Sequence, residues 1–268
     1  LMVLYPIIYV ISASFSSGNA VAEGRVWLWP VEFSLEAYKV VFGYSDLWIG
    51  YRNTIFYTAV GTVLNVAMTM ICAYPMARKN LVGKSVISFV FVFTMMFGGG
   101  MIPNYLLVKN LGMTNTIWSM MIPGIMSVYN MLVARNFIQS NIPDELLEAS
   151  IVDGCNDYRF FFDIVLPLSK SIIAVLALWY AVGHWNSWYD VLIYITDETK
   201  FTLQIVLRRI LLTGSKEIME FSSTTQEMVS SEGLKAATIY VATLPILCAY
   251  PFLQRYFVKG INMGSLKG

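Results

Sequence analysis

Apolar residues in this chain run in long blocks, and the charges gather in the short segments between them. Six stretches carry no charge: Leu1–Ala22, Asn53–Ala77, Ser85–Val108, Asn110–Ala134, Ser171–Tyr189 and Ala236–Gln254. Each reaches or exceeds the roughly 18 apolar residues that mark a membrane-spanning helix. The pattern predicts an all-α, polytopic membrane protein with six transmembrane helices in a single domain over residues 1–268. Ala20-Val21-Ala22 has the small-x-small form of a signal cleavage site, but no charged segment precedes it. The opening stretch is therefore read as a first span shortened at its start. In the third stretch, Gly98-Gly99-Gly100 and Pro103 should interrupt the helix. That predicts a helix from about Lys84 to Phe97, then a re-entrant or surface-lying segment near Met101–Lys109.

Composition agrees and excludes several chemistries. Hydrophobic residues are 57% of the chain and charged ones 13%, against roughly 25% charged in a soluble domain. His184 is the one histidine, which leaves almost no material for a zinc site or a Ser-His-Asp triad. Cys72, Cys155 and Cys248 form no C-x-x-C pair. A net charge of +1 gives no nucleic-acid footprint.

Basic residues in short loops set orientation. Arg78, Lys79 and Lys84 follow the second span, whereas Lys109 alone lies between the third and fourth. This predicts that the 78–84 loop, the 135–170 loop and both termini are cytoplasmic. Residues 23–52 and 190–235 would then lie outside.

The cytoplasmic loop 139–167 has the punctuation of a short helix. Asn141 can cap it, Pro143 suits its first turn, and Asp144 and Glu145 complement the positive end of its dipole. Leu147 and Ile151, four apart, form an apolar stripe with Leu146. Gly154 can end the helix in the left-handed conformation. The aromatic segment Tyr158–Pro167 follows, too short to span. A helix-turn-helix on a membrane protein's cytoplasmic face is either a docking knob or a plain amphipathic surface helix.

Glu148-Ala149-Ser150, three residues, Gly154, nine residues, then Ile164-Val165-Leu166-Pro167 resembles the E-A-A-x3-G-x9-I-x-L-P signature of binding-protein-dependent ABC-importer permeases. Ser150 replaces the usual second alanine. Phe33–Tyr38, Leu111–Thr116 and the 254–268 tail resemble the carbohydrate-importer members, and the tail looks like that of the second permease in maltose-type importers. The Gly98–Tyr105 run resembles a branch linked to oligosaccharides and polysaccharides. The resemblance implies a six-helix core in the bacterial cytoplasmic membrane, surrounded by lipid. It implies as partners a second homologous permease, two ATPase subunits and an extracytoplasmic solute-binding protein. By the same resemblance, Glu145, Glu148, Ala149, Ser150, Asp153 and Gly154 belong to a coupling helix seated in an ATPase groove. ATP and Mg2+ would be bound by those ATPase subunits, and this chain would hold no cofactor and perform no covalent chemistry.

The fifth span carries His184, Asn186, Trp188, Tyr189 and Asp190 near its outer end. Polar groups in a span usually face a cavity or another helix. On one continuous helix Asn186 and Asp190 would share a face, with His184 and Trp188 on the adjacent one. Aromatic faces with amide and carboxylate partners suit a sugar; an interfacial aromatic belt accounts for the same residues. Tyr129 and Asn130 in the fourth span are further candidates for the substrate path. A secondary carrier would need carboxylates within its spans, and these spans contain none. An embedded hydrolase would have no use for the Glu148–Pro167 pattern. An ABC importer for a non-sugar solute is the nearest alternative.

Overall fold

The computed structural model describes residues 4–213 and 231–261, with side chains described over 4–212 and 231–248. Among the described residues there is no β-strand; Ser16 and Phe33 form an isolated antiparallel bridge. Among the described residues one unbroken helix, Ser45–Ala77, is long and apolar enough to cross a membrane, and it stops two residues after Pro75. Two bent helix pairs pass the same test jointly. Lys84–Met96 turns by 113° into Met101–Asn110, and Asp157–Leu168 turns by 79° into Lys170–Trp185.

The first bend lies where the glycines predict it. Gly100 has φ +85°, a conformation costly for any residue with a Cβ. Pro103 sits in the first turn of the second helix, where its missing N–H is harmless. The fourth stretch departs from expectation, because Asn110–Ala134 is not one helix. A single turn at Trp118–Met121 gives way at Pro123-Gly124, and a new helix, Val128–Asn141, starts from Ser127, whose hydroxyl accepts the Asn130 N–H.

The chain divides into two compact units. One comprises the described parts of Leu1–Ile55 and Ser187–Pro251. Its small core includes Ala13, Ala20, Val21 and Ala236. Gly50 lies so close to Leu203 that a Cβ there would stand 3.0 Å from the Leu203 Cα. Thr54 Oγ1 accepts the Leu203 N–H at 2.8 Å, and Asn53 donates to the Thr199 and Phe201 carbonyls at 2.8 and 2.9 Å. Buried polar residues thus fix the 199–203 segment to the first turns of the long helix.

The other unit comprises the described parts of Phe56–Asn186 and Phe252–Gly268. Its core joins the long helix (Met70, Ala73, Ala77) to Met131, Ala134 and Ile138, to Phe160, Phe161 and Val165, and to Leu176. Val165 and Ala73 are fully buried, although one lies in a short helical segment and the other in the longest helix. The loop after Asn141 therefore rests on the core and does not hang from it.

Candidate functional site

The 139–167 loop folds around a nine-residue helix, Asp144–Val152. Isolated helices shorter than about 12–15 residues are marginal in water, so contacts must hold this one. Pro143 occupies the N-cap position, with Asp144 and Glu145 in the first turn. Asn141 does not cap it. That residue ends the preceding helix, and its amide donates to the Phe137 carbonyl at 2.8 Å. Gly154 takes φ +75° just past the helix end, as its sequence position predicts.

The buried side of this helix keeps one residue of the predicted stripe, Leu147, and replaces the others with Ser150. Leu147 packs on the core and Ser150 is buried, whereas Leu146, Ile151 and Val152 are 37%, 57% and 86% exposed. Ser150 fits where alanine is usual because its hydroxyl donates to the Leu147 carbonyl at 2.7 Å, one turn back in its own helix. Glu145, Glu148, Ala149 and Asp153 face outward with the exposed aliphatics.

Both flanks of the helix are tied to the residues just beyond the long helix. Lys79 pairs with Asp144 at 2.6 Å, and Arg78 reaches Asp157 at 3.3 Å while donating to the Tyr74 hydroxyl at 2.8 Å. Gln139 donates to the Ala77 carbonyl at 3.1 Å. Asp144 raises the Lys79 pKa above the ordinary lysine range, first by accepting its hydrogen bond. The pair is exposed, so it orients more than it stabilises. Between the helix and the end of Ser45–Ala77 lies a cavity of about 340 Å³ lined by Arg78, Lys79, Gln139, Asp144 and Glu145 among others.

A second polar arrangement crosses this unit. Asn65 is 2% exposed; its amide donates to the Gly124 carbonyl at 2.7 Å, and its oxygen meets His184 Nε2 at 2.8 Å. With the amide N–H committed to Gly124, the ring nitrogen is the donor to the oxygen. Gly61, one turn before Asn65, leaves room for the ring: a Cβ there would stand 2.5 Å from His184 Nε2. One turn beyond Asn65, Thr69 bonds the Tyr180 hydroxyl at 2.7 Å, which also accepts the Ser127 N–H at 3.1 Å. His184 is therefore committed to helix packing. Asn130 is buried in this unit, and Tyr129 is 56% exposed with its ring against Trp179 at 6.0 Å.

The expected shared face of Asn186 and Asp190 does not form. The helix stops at Trp185, Asn186 is its C-cap with its amide on the Val182 carbonyl at 2.9 Å, and a separate helix, Tyr189–Tyr194, begins three residues later. The Thr202 hydroxyl donates to the Ser187 carbonyl at 2.9 Å, just before that helix. Trp188 and Tyr189 meet edge-on at 5.5 Å, and the Arg208 guanidinium lies 3.9 Å from the centre of the Trp188 ring. Asp190 is exposed, with the Ser187 hydroxyl at 3.5 Å.

Residues 47–263 match the family described as binding-protein-dependent transport system inner membrane components. The chain belongs to that family. This permease is 39% identical to the protein LplC of Bacillus subtilis, over 99% of this chain and 90% of that one. It is 38% identical to the polygalacturonan/rhamnogalacturonan transport system permease YtcP of the same organism, over 100% and 94%. A bacterial ABC transporter involved in the import of the acidic polysaccharide alginate superposes with TM-score 0.90 at 34% identity, covering 96% of this permease and 91% of that chain. The fold is that of an ABC-importer permease, and the chain is a transport subunit in the inner membrane.

Within this permease Glu145, Glu148, Ala149, Asp153 and Gly154 are exposed and Ser150 is turned inward. The structure sets His184 against another helix, makes Asn186 the cap of one helix, and puts Trp188, Tyr189 and Asp190 at the start of the next. Sequence patterns did not single out Asn65 or Arg208, nor the anchoring role of Arg78 and Lys79. A signal for Asn65 exists: Gly61, Asn65, Thr69, Ala73 and Ala77 recur every four residues, a small and polar line suited to close helix contact in lipid.

Proposed function

We propose that this permease is half of the translocation path of an ATP-driven oligosaccharide importer and that the 144–152 helix is its coupling element. The observation that carries the reading is the outward face of that helix. Three carboxylates (Glu145, Glu148 and, at the C-cap, Asp153) and three aliphatic side chains (Leu146, Ile151, Val152) are exposed along a helix anchored at both flanks. Aliphatic area of this kind on a short surface helix marks a protein contact. An ATPase subunit is the partner that the family provides. ATP and Mg2+ belong to a pair of such subunits; a second, homologous permease completes the path, and an extracytoplasmic binding protein delivers the sugar.

In this reading the chain crosses the bacterial cytoplasmic membrane six times, with the 78–84 and 135–170 loops and both termini on the cytoplasmic side. The two substrates named for the relatives above, polygalacturonan/rhamnogalacturonan and alginate, are both polysaccharides, which supports a saccharide over another solute. The experiment is co-expression with the neighbouring transport genes, purification and reconstitution in vesicles. Co-purified ATPase subunits, and ATP-dependent accumulation of an oligosaccharide in the presence of the binding protein, are the expected result. Sugar accumulation driven by an ion gradient without ATP would contradict it.

A further inference from the structure

Two adjacent arginines on the helix Leu203–Thr213 are used differently. Arg209 is satisfied within the fold, bonding Glu198 at 2.6 Å with its guanidinium 5.2 Å from the centre of the Phe201 ring. Arg208 is exposed, lies 3.9 Å from the centre of the Trp188 ring, and among the described residues pairs with no carboxylate. A guanidinium lying over an aromatic face keeps its in-plane N–H donors for another acceptor. Tyr189, 46% exposed, stands edge-on to the same Trp188.

The arrangement is held in place before any ligand arrives. The Thr202 hydroxyl holds the Ser187 carbonyl immediately before Trp188, and Asn53 holds the Thr199 and Phe201 carbonyls immediately before the arginine-bearing helix. Preorganisation of this kind reduces the ordering cost of binding. A stacked, fixed cation beside exposed aromatic surface suits a ligand that has both a ring face and a carboxylate. Arginine meets carboxylate with paired, charge-assisted hydrogen bonds; Trp188 backs the guanidinium, and the exposed Tyr189 ring supplies an apolar face for the sugar.

We propose that Arg208, Trp188 and Tyr189 form a recognition point for the carboxylate of an acidic saccharide, so that the oligosaccharides carried include uronate-containing ones. This rests on the saccharide-import reading above and narrows it.

The test uses the assembled transporter with its binding protein in vesicles. The probes are a tetramer of galacturonate and its fully methyl-esterified form, which keeps the backbone and loses the charge. Wild type is expected to import the acid in preference to the ester, and salt should weaken that preference by screening an exposed contact. Arg208→Gln should lower the acid-to-ester preference about tenfold per assembled transporter, and Arg208→Lys should restore part of it. A preference equal in wild type and Arg208→Gln, or wild-type import of the ester alone, would overturn the assignment and leave saccharide import standing. ATP-driven transport of no saccharide, charged or neutral, would remove the underlying reading as well.

Discussion

The loop around Asp144–Val152 and the stretch around His184–Asp190 both place polar residues at the end of an apolar helix, and they use them in opposite ways. In the first, the charged groups at the flanks (Lys79 with Asp144, Arg78 with Asp157) hold the helix, while Glu145, Glu148 and Asp153 are left facing out. In the second, His184 and Asn186 are consumed by the fold: His184 bonds Asn65, and Asn186 caps its own helix. Residue type alone does not separate a docking surface from a packing contact. Whether a group's hydrogen-bonding capacity is already spent does.

The largest effect should come from the packed side of that contrast. Gly61→Val would drive methyl groups into the space of the His184 ring, and overpacking of this kind typically costs about 1–3 kcal/mol. Adding His184→Ala should recover much of the loss by vacating the space. Thermal unfolding of the purified transporter, followed through the double-mutant cycle, reads this out. Simple additivity would mean that the ring and the glycine are not packed together.

Next in size is Gly154→Val. At φ +75° a β-branched side chain costs about 1–2 kcal/mol, so the turn after the 144–152 helix should shift. A Cβ at this position would meet no heavy atom within 4 Å, so strain and not collision is the cause. Membrane insertion should persist while ATPase co-purification falls; undiminished co-purification would show that the turn does not position the docking face.

Asn186→Ala should do little. Its amide serves only a helix end, and a surface change of that kind is usually within about 0.5 kcal/mol. Oligosaccharide uptake per assembled complex should stay at the wild-type level. A clear loss would return Asn186 to the substrate path.

The smallest effect concerns Lys79. Its pKa is raised by Asp144 above the ordinary value of 10.5. A raised folded-state value means that the pair's contribution is complete below the ordinary value and is lost as pH rises through the folded one. Neutral and mildly alkaline conditions should therefore leave the pair intact. Lys79→Met should remove only a weak alkaline dependence of thermal stability, measured by comparing both proteins across that range.

How much of this is readable from the sequence depends on the distance over which each feature is determined. The 144–152 helix is written locally: acidic first turn, Pro143 before it, Gly154 after it. All three features sit where the chain order puts them. The bend before Met101 is local in the same sense, set by Gly98–Gly100. The inward face of the short helix is not readable, because Leu147 and Ser150 are chosen by a core assembled from helices far away in sequence. Nor is the break after Trp185. Nothing in Asn186–Trp188 forbids a helix, and the Ser187 carbonyl is held by Thr202, fifteen residues on. Asn65 reads as filler in an uncharged run, because its meaning lies in Gly124 and His184.

The outward carboxylates of the 144–152 helix are the surface on which coupling to the ATPase rests. The most direct test is binding-protein-stimulated ATP hydrolysis, per assembled transporter, for Glu148→Lys beside wild type. Stimulation should fall sharply or the ATPase subunits be lost on purification, with the permease pair still inserted and intact. Wild-type stimulation in a fully assembled Glu148→Lys transporter would contradict that role.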